Sequence, residues 1–125
     1  MIAPLPTPVR VSILIAVRNG EGTLGPQLSA LLKQTYEGPI EIVVADNGST
    51  DATRALVEQM ADTTSTPVVV VDAGARTGAP FARNCAARYA SGDVFLICDA
   101  DDIATRSWVA EMVASLGSHE FVAGA

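Results

Sequence analysis

Positive charge is scarce in this chain. Eight Lys and Arg stand against fourteen Asp and Glu, for a formal charge of −6 at pH 7. A nucleic-acid surface is built from clustered Lys and Arg, so no nucleic-acid partner is expected, and any phosphate-bearing ligand would need its charge neutralised from elsewhere. Long apolar runs are absent too. The longest, "VSILIAV" and "VFLIC", fall far short of the roughly 20 residues that span a bilayer, and no basic-then-apolar leader precedes a cleavage site. The expectation is a cytoplasmic domain with no transmembrane segment. Cysteine occurs twice, as Cys85 and Cys98, without the spacing of a metal knuckle or a disulfide framework. Both are read as unbonded core thiols in a reducing compartment. The lone histidine, His119, is read as a surface residue. There is no internal repeat, low-complexity segment or internal linker.

What is present suits one domain with a real core: 125 residues, of which 49% are hydrophobic. Four short β-branched runs, at residues 11–17, 40–45, 68–72 and 94–98, are continuous rather than alternating, as expected of parallel strands covered on both faces. Helical patterns separate them. Leu24, Leu28, Leu31 and Leu32 share one face, Leu56, Val57 and Met60 another, and residues 80–90 open with a proline in the first turn. This alternation predicts an α/β fold: a Rossmann-like parallel sheet of strand order 3-2-1-4 with helices on both faces. In that order the first and fourth strands leave a crevice at their carboxyl ends, where ligands sit. Residues 1–8, with three prolines, read as a loose tail, and residues 63–67 as a polar loop.

The stretch "VRNGEGTLGP" contains a formal G-x-G-x-x-G, with Asp46 following at the distance of a ribose-binding carboxylate. In a dinucleotide fingerprint the helix opens near the second glycine. Here Pro26 argues for a later start, with Thr23 as N-cap and the proline inside the first turn. A single glycine match of this kind is weak evidence.

The strongest chemical signal is "VFLICDADD". Three carboxylates, Asp99, Asp101 and Asp102, follow a buried strand at the expected crevice. Side chains two apart in an extended segment point the same way, and clustered anions repel unless a proton or cation intervenes. A divalent ion held by one or two carboxylates and by substrate phosphate oxygens meets that need. Alternatively Asp102 or Thr105 caps a helix over residues 106–116. In "VVADNGSTDAT", Asp46 ends the second strand, Asn47-Gly48 makes a turn that tolerates positive φ, and Ser49, Thr50 or Asp51 caps the next helix. A carboxylate at that strand end can accept hydrogen bonds from a ribose or a base.

Taken in order, "VSILIAVRNGEGTLGPQLSALLKQTY", "IEIVVADNGSTDAT", "GAPFARNCAARYASGDVFLICDADD" and Trp108 resemble the nucleotide-sugar-binding half of family 2 glycosyltransferases, with the GT-A fold. The resemblance implies a nucleoside diphosphate sugar donor, linked to UDP, GDP or dTDP, and a divalent metal, Mg or Mn. Carried onto this chain, it puts Ala16, Arg18 and Glu21 in the nucleoside pocket, Asp46 facing the base and Arg83 near the same pocket. Asp99 then addresses the ribose, and Asp101 and Asp102 the metal. It further implies that residues 9–125 are the donor half of a longer domain whose general base and acceptor site lie outside this chain. Peripheral membrane association of that longer protein stays open if its acceptor is lipid-linked.

The family commonly has Pro where this chain has Ala16, and Tyr or Phe where it has Arg18. Arg18 can stack on a base through its guanidinium plane or stand as a solvated loop residue. Arg76 is read as an exposed charge, and Trp108 and Tyr89 as core. Three functions remain open on the residues alone: an inverting glycosyltransferase, a nucleotide-sugar-binding module without turnover, and a dinucleotide-dependent oxidoreductase fragment resting on Gly20, Gly22 and Gly25.

Overall fold

Each of the four apolar runs forms a strand, and each helical pattern lies between two of them or after the last. The computed structural model describes residues 8–116. Their order is β1 (Val11–Val17), α1 (Leu24–Leu31), β2 (Ile40–Asp46), α2 (Thr53–Ala61), β3 (Val68–Asp72), α3 (Ala79–Tyr89), β4 (Val94–Asp99) and α4 (Trp108–Ser115). The strands are parallel in the order β3-β2-β1-β4, as the alternation predicted.

Strand periodicity splits the core into two layers. Ile13, Ile15, Ile42, Val44, Leu96 and Cys98 face α1, α2 and α4, whose Leu28, Val57 and Val109 are fully buried against them. Leu14, Val43 and Ala45 face α3, which presents Ala82 and Ala86. Small residues on this second face let α3 lie close to the sheet. The register sets Ala16 beside both Ala45 and Asp99, and Val17 beside Asp46. The carboxyl ends of β1, β2 and β4 therefore finish together.

Helix α1 begins at Leu24 with Thr23 in the N-cap position and Pro26 in the first turn, although the Thr23 side chain makes no capping bond. Three expectations need correction. The N-cap of α2 is Ala52 rather than Ser49, Thr50 or Asp51; the Asp51 carboxylate instead accepts the Thr53 backbone N–H, at 3.0 Å. Helix α4 starts at Trp108 behind Ser107, not at 106 behind Asp102 or Thr105. The reason is Gln34, whose Nε2 donates to the Thr105 carbonyl at 2.7 Å and whose Oε1 accepts the Val109 N–H at 2.9 Å, so a distant side chain fixes the helix start. Tyr89 is 54% exposed rather than core, because the buried stripe of α3 runs through Ala82 and Ala86 to Ala90, four residues apart, and bypasses it. Trp108 packs on the core as expected. Cys85 and Cys98 are unbonded thiols. His119 and the apolar segment after it lie outside the described residues.

Candidate nucleotide-sugar site

The loop after β1 is held by the loop after β2. Asn19, in the left-handed region at φ 53°, donates its backbone N–H to the Ser49 hydroxyl at 2.8 Å and accepts the Thr50 N–H on Oδ1 at 2.8 Å. The Gly20 N–H reaches the buried Thr53 hydroxyl at 2.9 Å, and the Glu21 N–H reaches Asp51 at 3.2 Å. Gly20 has no room for a side chain, since a Cβ would lie 2.5 Å from Val17 Cγ2. A Cβ on Gly22 would meet nothing within 4 Å, and α1 starts two residues after it. This arrangement lacks the helix start at the second glycine that a dinucleotide fingerprint requires.

The loop after β2 is in turn tied to the loop before α3. Asn47 is buried, and its Nδ2 donates to the carbonyls of Ala73 and Arg76 at 2.8 and 2.7 Å while its Oδ1 accepts the Gly78 N–H at 2.9 Å. Gly48, at φ 83°, supplies the expected turn. Asp46 is buried, and its Oδ1 accepts the Ser49 N–H at 2.9 Å.

The acidic loop leaves β4 on the other side of β1. Asp99, Asp101 and Asp102 are all exposed, and among the described residues no hydrogen bond or ion pair engages their carboxylates. Beneath them, burial, with the Asp99 and Asp102 charges adding to it and a Gln27 hydrogen bond opposing it, pushes the Cys98 thiol up to about 12, so it stays protonated at neutral pH. A cavity of about 370 Å³ opens where these elements meet, walled by residues 16–20, Thr23 and residues 99–101. Of the residues singled out from the sequence, it brings together Ala16, Arg18, Asp99 and Asp101. Asp102 lies on the wall of a neighbouring cavity of about 230 Å³, with Gln27 and Trp108. Asp46, Glu21 and Arg83 stand outside the larger cavity's wall; Arg83 is half-buried on α3.

Residues 12–125 match the family described as glycosyl transferase family 2. The chain belongs to that family. Among curated relatives, it is 37% identical over 100 residues to the UDP-Glc:alpha-D-GlcNAc-diphosphoundecaprenol beta-1,3-glucosyltransferase WfgD of Escherichia coli, covering 80% of this chain and 36% of that enzyme. Among solved structures, it superposes on TarS of S. aureus, crystallised with UDP-GlcNAc, at a TM-score of 0.77 and 27% identity, covering 89% of this chain and 32% of that one. The mannosyltransferase PcManGT of Pyrobaculum calidifontis, in complex with GDP-Man and Mn2+, gives a TM-score of 0.78 at 32% identity, over 90% of this chain and 34% of that one. The chain thus has the GT-A glycosyltransferase fold and spans about a third of the length of these relatives.

Sequence reasoning missed the side chains that hold this candidate site in shape. Asn19, Asn47 and Thr53 sit in turn-rich segments where local chemistry already explains them. Gln27 did leave a signal: it falls on the apolar stripe of α1 between Leu24 and Leu28, where a glutamine needs buried partners.

Proposed function

We propose that residues 9–125 form the donor-binding part of a GT-A glycosyltransferase domain that takes a nucleoside diphosphate sugar together with Mg or Mn. One observation supports this most: the cavity at the carboxyl ends of β1 and β4 has Asp99 and Asp101 in the same wall as the first loop. Their hard oxygen donors suit such an ion, and among the described residues no group of three His, Cys, Asp or Glu could hold one alone. That fits an ion completed by diphosphate oxygens and water. In this reading Asp101 and Asp102 hold the metal, which when bound neutralises the diphosphate charge in an otherwise acidic protein. Asp99 addresses the ribose, Asp46 the base, and Ala16, Arg18, Glu21 and Arg83 the rest of the nucleoside pocket.

Transfer would proceed with inversion: an acceptor hydroxyl, deprotonated by a carboxylate outside these residues, attacks the anomeric carbon as the diphosphate leaves. No helix among the described residues is long and apolar enough to cross a membrane. The two free thiols support a cytoplasmic site of action.

Calorimetric titration with UDP-, GDP- and dTDP-linked sugars, each with Mn2+ and with EDTA, tests the reading. One of the three should bind in a metal-dependent way; binding of none would overturn it. A donor-hydrolysis assay on the same samples separates a transferring domain from a binding module.

A further inference from the structure

The acidic loop is only lightly anchored by packing. Ala100 and Ala104 touch the core, but a cavity of about 230 Å³ lies beside residues 102–105, and the loop's one large apolar residue, Ile103, is 67% exposed. The turn bond within it, from the Asp102 N–H to the Asp99 carbonyl, is long at 3.5 Å. A single side chain grips both ends. Gln27, 1% exposed on α1, donates from Nε2 to the Asp99 carbonyl at 3.0 Å and accepts the Ala104 N–H on Oε1 at 2.8 Å.

We infer that Gln27 is the positioning residue of the acidic loop, fixing the spacing at which Asp99 and Asp101 face the donor and its metal. This rests on the donor reading above. The chemistry requires glutamine: the two loop ends call for one donor and one acceptor on the same neutral group. Asparagine is a methylene shorter, and ionised glutamate has no N–H for the Asp99 carbonyl. Gln34 provides an internal control, because besides a bond to the Ala30 carbonyl it makes the same kind of pair one step further along, to the Thr105 carbonyl and the Val109 N–H, away from the carboxylates.

The test compares Gln27→Met with Gln34→Met in calorimetric titrations of the whole chain with UDP, GDP and dTDP, each with Mn2+ and with EDTA, alongside thermal melts. Gln27→Met loses two hydrogen bonds and Gln34→Met three, the third to the Ala30 carbonyl at 3.2 Å, so both should melt earlier and Gln34→Met at least as much. Only Gln27→Met should weaken Mn2+-dependent nucleotide affinity, by about tenfold, leaving any binding in EDTA unchanged; Gln34→Met should shift it less than about twofold. Equal losses in the two variants, or unchanged affinity in Gln27→Met, would overturn the inference. Hydrogen exchange at the Ala104 amide of the unsubstituted chain guards against a variant that fails to fold. It should be at least about tenfold slower than in an unstructured peptide, and free exchange there would show that Gln27 does not hold the loop. If the unsubstituted chain binds no nucleotide with Mn2+, the donor reading is what fails. Gln27's hold on the loop is then judged by whether Ala104 exchange is slow in that chain and fast in Gln27→Met.

Discussion

The acidic residues at the amino end of the sheet and those that follow β4 at its carboxyl end are treated in opposite ways. At the amino end, Glu41 Oε2 accepts from the Ser12 hydroxyl at 2.5 Å, the Ser91 N–H at 2.7 Å and the Ser91 hydroxyl at 3.2 Å, while Asp93 accepts the Arg10 N–H at 2.9 Å. At the carboxyl end, Asp99, Asp101 and Asp102 face solvent without such partners among the described residues. Carboxylates that serve the fold are bonded within it. Those left open at a strand crevice can meet a ligand or cation instead, so substitutions at the two ends should separate stability from binding.

The largest effect is expected at the amino end, at Gly92. A Cβ there would lie 2.5 Å from Ser12 Oγ, 2.8 Å from the Ser12 backbone N and 3.0 Å from the Arg10 carbonyl. Backbone atoms of a buried strand cannot move aside, so Gly92→Ala should destabilise by about 3 kcal/mol in urea unfolding, the upper end for overpacking. Metal-dependent nucleotide affinity of the folded fraction should be unchanged. A loss of affinity equal to that of a carboxyl-end variant would break the separation.

Next comes Glu41→Ala, expected to destabilise by about 2 kcal/mol through lost hydrogen bonds to a charged acceptor. This effect depends on pH. Burial pushes the Glu41 carboxyl up, but the hydrogen bonds from Ser12 and Ser91 outweigh it, and the net result lies below the ordinary 4.5. A carboxyl lowered on folding adds stability above its unfolded value and loses it as pH falls through its folded value. The advantage over Glu41→Ala should therefore be full at pH 6 to 7 and shrink below about pH 4.5, as read by urea unfolding across that range. An advantage that grew on acidification would contradict the bonded carboxylate.

The sequence made the frame of this comparison legible but not its fastenings. Continuous apolar runs gave the strands, and short intervening helical patterns gave parallel order, because both signals are local. The crevice and its carboxylates Asp99 and Asp101 followed from that order, whereas Ala16 and Arg18 came from the family resemblance. Gln27 and Gln34 could not be assigned partners, since their bonds reach across 71 to 77 residues and carry no local period. The same long-range bonds moved the start of α4. Tyr89 differs for another reason: helical spacing alone reads it as core, whereas the spacing of the α3 alanines decides which face is buried.

The smallest expected effects lie at the carboxyl end, and their rank order carries the information. Asp101→Ala removes a proposed metal ligand, so a bound diphosphate would face Asp99 and Asp102 less well neutralised; affinity with Mn2+ should fall at least tenfold, about 1.4 kcal/mol, with little change in the melt. Gly22→Ala should change it by less than about twofold, or 0.4 kcal/mol, because a methyl group there meets nothing within 4 Å. Were Gly22 part of a pyrophosphate-binding turn, the order would reverse: the methyl would intrude on the ligand, and loss of an anion at Asp101 would leave binding equal or better. Gly22 is exposed and precedes the helix, so neither steric strain nor a lost cap confounds the comparison. Both variants measured in one titration, with EDTA as control, read the assignment from order alone. Greater damage from Gly22→Ala, with no effect of EDTA, would mean that the open carboxylates are not the donor's metal site.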